Sequence, residues 1–211
     1  MKSARILLGD DHPMVLEGLK RLLQEEYDVV GLVEDGRALV EAAQALKPDI
    51  IVTDMSMPLL NGLEAARRIK KLVPQSKILF LTMHADPTYA QEALQVGVAG
   101  YVLKRSAAAE LLQAIQAALM GRTYVTPLLA LEEKSGFEAL APRERSRFGH
   151  LTSRQREILQ LVAEGKSTKE IATLLTISLK TVEFHKMKIK EQLGLRTTAE
   201  LTKYAMMHGL V

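Results

Sequence analysis

Pro48-Asp49-Ile50-Ile51-Val52-Thr53-Asp54-Met55-Ser56-Met57-Pro58-Leu59-Leu60-Asn61-Gly62 decides the fold. Ile50, Ile51 and Val52 are consecutive β-formers. An unbroken apolar run of this kind reads as a strand buried on both faces, as in a parallel sheet. It delivers a lone acid, Asp54, at its carboxyl end. Pro58 and the Asn61-Gly62 pair then end the strand and turn the chain before a helical pattern begins. In open α/β sheets, ligand chemistry sits just beyond the carboxyl ends of the strands. Asp54 is placed for chemistry rather than for packing.

Other apolar runs bring partners to the same edge. Ile6-Leu7-Leu8-Gly9 ends in Asp10-Asp11, Lys77-Ile78-Leu79-Phe80-Leu81 ends in Thr82, and Gly100-Tyr101-Val102-Leu103 ends in Lys104. Three carboxylates, a hydroxyl and an ammonium would meet at one end of one sheet. Like charges that close repel unless a cation lies between them. Hard carboxylate oxygens with room for water suit Mg2+, and Lys104 can neutralise a phosphoryl oxygen.

Working outward, strands are expected near 4–9, 28–33, 49–54, 77–82 and 99–103. Helical patterns follow each of them. Pro13 can open the first helix, with Val15, Leu16, Leu19, Leu22 and Leu23 on its apolar face, and the others span 38–46, 63–73, 88–96 and 107–120. Strict alternation argues for a parallel sheet with helices on both faces. Nucleotide-binding folds share this alternation, but no Gly-x-Gly-x-x-Gly and no Gly-Lys-Ser/Thr follows any strand. Acids at the mouth of the first strand would also repel a nucleotide's phosphates.

The 211 residues suit one large or two small domains. The absence of cysteine excludes disulfides, thiolate chemistry and cysteine-ligated zinc. The short apolar run at Ile6-Leu7-Leu8 is no signal peptide, and no run approaches the roughly 20 residues that cross a bilayer. A cytoplasmic protein with no membrane partner is expected. The formal charge of +3 is unevenly spread. Residues 1–126 carry 14 Lys and Arg against 15 Asp and Glu, whereas 143–211 carry 13 against 7. A basic tail on a near-neutral body suggests that the tail meets a polyanion.

That tail begins at Leu151. Thr152-Ser153, followed by Glu157, offers N-caps for a helix carrying Ile158, Leu159, Leu161 and Val162, and Gly165 ends it. Ser167 and Glu170 form a capping box for a short helix with Ile171, Leu174 and Leu175 inside. After the turn Thr176-Ile177-Ser178, a basic helix over 180–193 buries Val182, Ile189 and Leu193 and stops at Gly194, and a fourth helix runs from Thr198 to His208. Two short helices across a three-residue turn, the second basic, read as a helix-turn-helix. Between the halves, 132–149 loses periodicity. We read 127–149 as an exposed linker, with a short helix near 128–133. Its Arg143-Glu144-Arg145-Ser146-Arg147 cluster is either a solvated charge run or a phosphate contact.

The strand-end residues, in this order, resemble the receiver domain of two-component response regulators over residues 1–126. Residues 150–211 resemble the LuxR-type DNA-binding domain. Its matching stretches are Leu151-Thr152-Ser153-Arg154-Gln155-Arg156-Glu157, Gly165-Lys166-Ser167-Thr168-Lys169-Glu170-Ile171-Ala172, Ser178-Leu179-Lys180-Thr181-Val182-Glu183-Phe184-His185 and Leu193-Gly194-Leu195. Together they match the NarL/FixJ group. The resemblance implies a flavodoxin-like, doubly wound five-stranded sheet of order 2-1-3-4-5, followed by a small all-α domain. It also implies that Asp54 accepts a phosphoryl group from a sensor histidine kinase. Asp10, Asp11, Asp54 and the Ser56 carbonyl would hold Mg2+. Thr82 and Lys104 would bind the phosphoryl group, and Tyr101 would be the aromatic that changes rotamer. Ser56 and His84 stand where the family tunes phosphoryl lifetime. A homodimer on a palindromic double-stranded DNA operator, with RNA polymerase as a further partner, completes the expectation.

Each role has a plainer rival. Asp10 could cap the following helix, Thr82 could be an ordinary strand threonine, and Tyr101 a half-buried sheet aromatic. In the basic helix, Glu183, Phe184 and Met187 lie opposite Val182 and Ile189, where they could meet base edges. Lys180, Thr181, His185, Lys186 and Lys188 suit phosphates. His185 could equally be a packed helix residue, and Met187 partly core. Two other functions are open to the first half. It could be a phosphorylation-independent interaction module, although the complete acid, Thr and Lys set argues against that. An aspartyl-phosphate enzyme would want an acid where Ser56 stands.

Overall fold

The computed structural model describes residues 3–85, 87–129 and 151–211. The short helix near 128–133 and the Arg143–Arg147 cluster lie wholly or largely outside them.

Six parallel strands stand in the order β2-β1-β3-β4-β5-β6. They are β1 (Arg5–Gly9), β2 (Asp28–Val33), β3 (Ile50–Thr53), β4 (Lys77–Thr82), β5 (Gly100–Leu103) and β6 (Tyr124–Val125). The expected order holds for the first five. The sixth corrects the five-stranded expectation. Tyr124 and Val125 add to the open edge of β5, pairing with Gly100 and Tyr101. A two-residue strand has no periodicity to announce it, and its cause is the free edge beside it.

Alternate side chains build two cores, as the pleat requires. Ile6, Leu8, Val52, Leu79, Leu81 and Val102 meet α1 (Pro13–Leu23) and α5 (Ala107–Leu119) on one face. Leu7, Ile51, Ile78, Phe80 and Tyr101 meet α2 (Gly36–Leu46), α3 (Gly62–Leu72) and α4 (Pro87–Val96) on the other. Parallel strands sandwiched in this way deliver the ends of β1, β3, β4 and β5 to a common edge.

A third core belongs to four helices, α6 (Ser153–Ala163), α7 (Thr168–Leu175), α8 (Leu179–Leu193) and α9 (Thr198–Met207). Their caps are written in the sequence. Thr152 with Gln155, Ser167 with Glu170 and Thr197 with Glu200 each close a reciprocal capping box. Gln155, not Glu157, completes the first. Gly194 ends α8 at φ +68°, a conformation that favours glycine.

The two domains are docked. Arg37, Glu64 and Arg68 of the sheet domain pair with Arg156 and Glu157 of α6. Leu59, in the loop after β3, packs against the helical domain's core.

Candidate phosphoacceptor site and DNA-reading surface

Asp54 follows β3 directly and is nearly buried, as is Asp10 after β1. Lys104 reaches both: its Nζ lies 2.6 Å from Asp54 Oδ2 and 2.7 Å from Asp10 Oδ2. One ammonium shared between two carboxylates means that their oxygens face a common point. Asp11 stands beside them, with His12 Nδ1 2.8 Å from its Oδ1 and 3.1 Å from Asp10 Oδ1. Asp10 does not cap α1. His12 occupies that position, and Asp10 Oδ1 accepts its backbone N–H.

Burial pushes the Asp54 carboxyl above its ordinary range, and Lys104, by hydrogen bond and charge, pulls it back without cancelling the shift. Burial pulls the Lys104 ammonium down, but hydrogen bonds and charge from Asp10 and Asp54 raise it overall. The site is thus rich in acid and short of cation, so the carboxylates present fit a hard divalent ion.

Around Asp54 the loop folds back on its own strand end. Asp54 Oδ1 accepts the backbone N–H of Met55 at 2.6 Å and of Ser56 at 3.4 Å. Gly62 N donates to Met55 O. A Cβ at Gly62 would collide with the Asp54 carbonyl oxygen, so this approach needs glycine. Thr82 is fully buried at the end of β4, and its Oγ1 accepts the His84 N–H at 3.2 Å. Ser56 Oγ and His84 Nε2 lie 3.0 Å apart at the rim. Tyr101 is wholly inside, donating to His84 O at 2.8 Å and packing edge-on to Phe80. The half-buried position considered for it is not the one found.

On α8 the helical spacing resolves as expected. Val182 and Ile189 are fully buried, while Phe184 and Met187 are each about half exposed on the opposite side. This disposes of a core role for Met187. Lys180, exposed, and Thr181, partly covered, occupy the first turn, where Ser178 Oγ accepts the Thr181 N–H. Glu183 is engaged within the domain: its Oε1 accepts from Thr168 Oγ1 at 2.6 Å and lies 3.1 Å from Lys186 Nζ. The Thr168 hydrogen bond, ahead of Lys186, lowers the Glu183 pKa. Lys188 pairs with Glu191. His185 is partly covered and meets Phe184 edge-on.

An acidic cluster at the carboxyl edge of a doubly wound sheet is thus joined to a helix-turn-helix in one chain. Residues 6–116 match the response regulator receiver domain, and residues 149–205 match the luxR family of bacterial regulatory proteins. The chain is 36% identical over 211 residues to the transcriptional regulatory protein MctR of Rhizobium johnstonii, covering 98% of this chain and 95% of that one. It is 36% identical over 214 residues to the oxygen regulatory protein NreC of Staphylococcus aureus, covering 98% and 99%. Among solved structures, the Salmonella typhimurium RcsB response regulator superposes with a TM-score of 0.67 at 29% identity, covering 99% of each chain. A structure of two RcsB dimers bound to two parallel DNAs gives 0.61 at 29%, covering each chain completely. The chain belongs to the DNA-binding response regulators that join a receiver to a LuxR-type domain, the NarL/LuxR group.

Proposed function

We propose that this protein is a transcription regulator switched by phosphorylation of Asp54. The supporting observation is the convergence of Asp54, Asp10 and Lys104 on one point, with Thr82 at the neighbouring strand end. A sensor histidine kinase supplies the phosphoryl group. An ionised Asp54 oxygen forms the new P–O bond as the P–N bond to the donor histidine breaks, and the electron pair stays on the imidazole nitrogen. Asp10, Asp11, Asp54 and the Ser56 carbonyl would hold Mg2+, which offsets charge on the transferring group. Lys104 then turns from the carboxylates to a phosphoryl oxygen, and Thr82 donates its hydroxyl to another.

The phospho-form dimerises and sets two α8 helices on the half-sites of a palindromic operator, in keeping with the DNA-bound RcsB dimers. Lys180, Thr181, His185, Lys186 and Lys188 grip phosphates, and Phe184 and Met187 face thymine methyl groups. Glu183 must leave Thr168 to reach a base. The protein acts in the cytoplasm, contacts RNA polymerase at its promoters and turns over no external substrate beyond hydrolysing its own phospho-Asp54. We assign residues 1–126 to the receiver, 127–149 to a linker and 150–211 to the DNA-binding domain.

Tyr101 lies inward, its hydroxyl donating to His84 O. A second reading, with Tyr101 fixed in that position, is an interaction module that needs no phosphorylation. The test is intact-protein mass after incubation with Mg2+ and a small phosphodonor. The first reading predicts one added phosphoryl group, absent in Asp54→Ala and without Mg2+; no added mass in the wild type would select the second.

A further inference from the structure

The domain interface does not lie where control of DNA access would put it. Leu179, Phe184 and Met187 remain about half exposed, and Lys180 and Glu183 are exposed as well. The receiver instead grips α6 with the loop that follows Asp54, and the end of α7 with Arg37, which donates to Leu174 O at 2.9 Å. Gln160, completely buried, accepts the Asn61 N–H at 2.8 Å through Oε1 and donates to Met57 O at 2.8 Å through Nε2. Glu164 Oε1 accepts the Leu59 N–H at 3.0 Å and is itself held by Gln160 Nε2. Leu59 sits at φ +64° and packs into the helical domain's core. Three backbone polar groups in the five residues 57–61 are thus satisfied by side chains of the other domain. Beside them Arg156 pairs with buried Glu64 at 2.6 Å, and Arg37 and Arg68 converge on buried Glu157 at 2.7 and 2.8 Å.

We propose that α6 is a positioning element of the phosphoacceptor site, with Gln160 and Glu164 holding the loop that carries Asp54's neighbours, so that domain docking opposes phosphoryl acceptance without masking the DNA-reading face. This rests on the function proposed above. In the docked form Asp54 Oδ1 is committed to the N–H groups of Met55 and Ser56. A phosphoryl group on Asp54 Oδ2 adds its oxygens beside this loop, and the loop's position sets which N–H groups can meet them. Residues 57–61 are fixed from across the interface, around a turn in which Leu59 takes a left-handed conformation and Leu60 N donates to Pro58 O. Releasing α6 frees the loop. Because coupling is reciprocal, whatever phosphorylation does to docking, docking does to phosphoryl affinity.

The test uses the full chain with Mg2+ and two readouts: the rate of phosphorylation by a small phosphodonor, and the affinity for beryllofluoride, a non-covalent phosphoryl mimic. Gln160→Ala combined with Glu164→Ala is expected to raise both by about fivefold or more, the lower end of typical allosteric couplings. Leu59→Gly, which removes the packing contact and relaxes the backbone, is expected to act in the same direction. Glu164→Gln, which keeps the acceptor, restores the wild-type values. DNA half-site affinity without phosphodonor stays within about twofold of wild type in the double variant, since the reading face is already open. Thermal unfolding confirms that each variant folds, and Leu59→Gly carries the test if the double variant does not. Wild-type phosphorylation rates in both the double variant and Leu59→Gly, or a large gain in unphosphorylated DNA affinity, would overturn the proposal while leaving phosphorylation control intact. A wild type that takes up no phosphoryl group would overturn both.

Discussion

Asp54 is an acid made uncomfortable on purpose of position: burial raises its pKa from the ordinary 3.8, and Lys104 only partly restores it. The folded state then binds a proton more readily than the unfolded chain, so this residue penalises folding at neutral pH. The penalty fades as pH falls through its raised value and is gone below the ordinary one. In Mg2+-free buffer, Asp54→Asn is therefore expected to raise the thermal midpoint at pH 7. Its advantage over wild type should shrink steadily toward pH 4, as followed by circular dichroism; an advantage independent of pH would contradict this account. Glu183 joins local and long-range order. Helical spacing put it correctly on the outer face, but its bond to Thr168 joins residues 15 apart and has no periodic signature.

Elements with strong local chemistry were legible. β1 to β5 announce themselves as apolar runs, and the Ser167–Glu170 box and Gly194 mark helix ends by mechanisms that act within a few residues. Their order in the sheet came from resemblance, since spacing does not set which strands are neighbours. β6 escaped because two residues carry no pattern, and the orientation of Tyr101 because it depends on the His84 carbonyl from another strand's loop. The start of α3 is a case where the local signal has a tertiary reason. The Asn61-Gly62 turn lets the helix begin against the Asp54 carbonyl. Gly62→Ala should cost about 1–3 kcal/mol in urea unfolding as the loop shifts to relieve the clash. At α8, Lys180→Ala should weaken binding to all DNA sequences alike and reduce the slope of log affinity against log salt by about 0.9, one phosphate contact. An unchanged slope would remove Lys180 from the interface.

For the whole molecule, the charge asymmetry between halves pointed toward DNA, yet it concealed how the halves meet. Glu157 looked like a helix-start residue. It is instead the buried hub of Arg37, Arg68 and Arg154, whose partners are drawn from both domains. Glu157→Gln leaves three guanidinium groups without their counter-charge. Because these arginines retain some access to water, the loss of docking energy is at most about 3 kcal/mol, the low end for broken buried pairs. Small-angle scattering should show a larger radius of gyration with both cores still folded. An unchanged radius would mean that the apolar seat of Leu59 holds the domains by itself.

The most direct test of phosphorylation control is binding to a DNA library by wild type and Asp54→Ala, each with and without Mg2+ and a small phosphodonor. Markedly tighter, sequence-selective binding is expected for phosphorylated wild type alone, with a palindromic site enriched. Equal binding in all four conditions would contradict it and remove Asp54 from control of the DNA-binding domain.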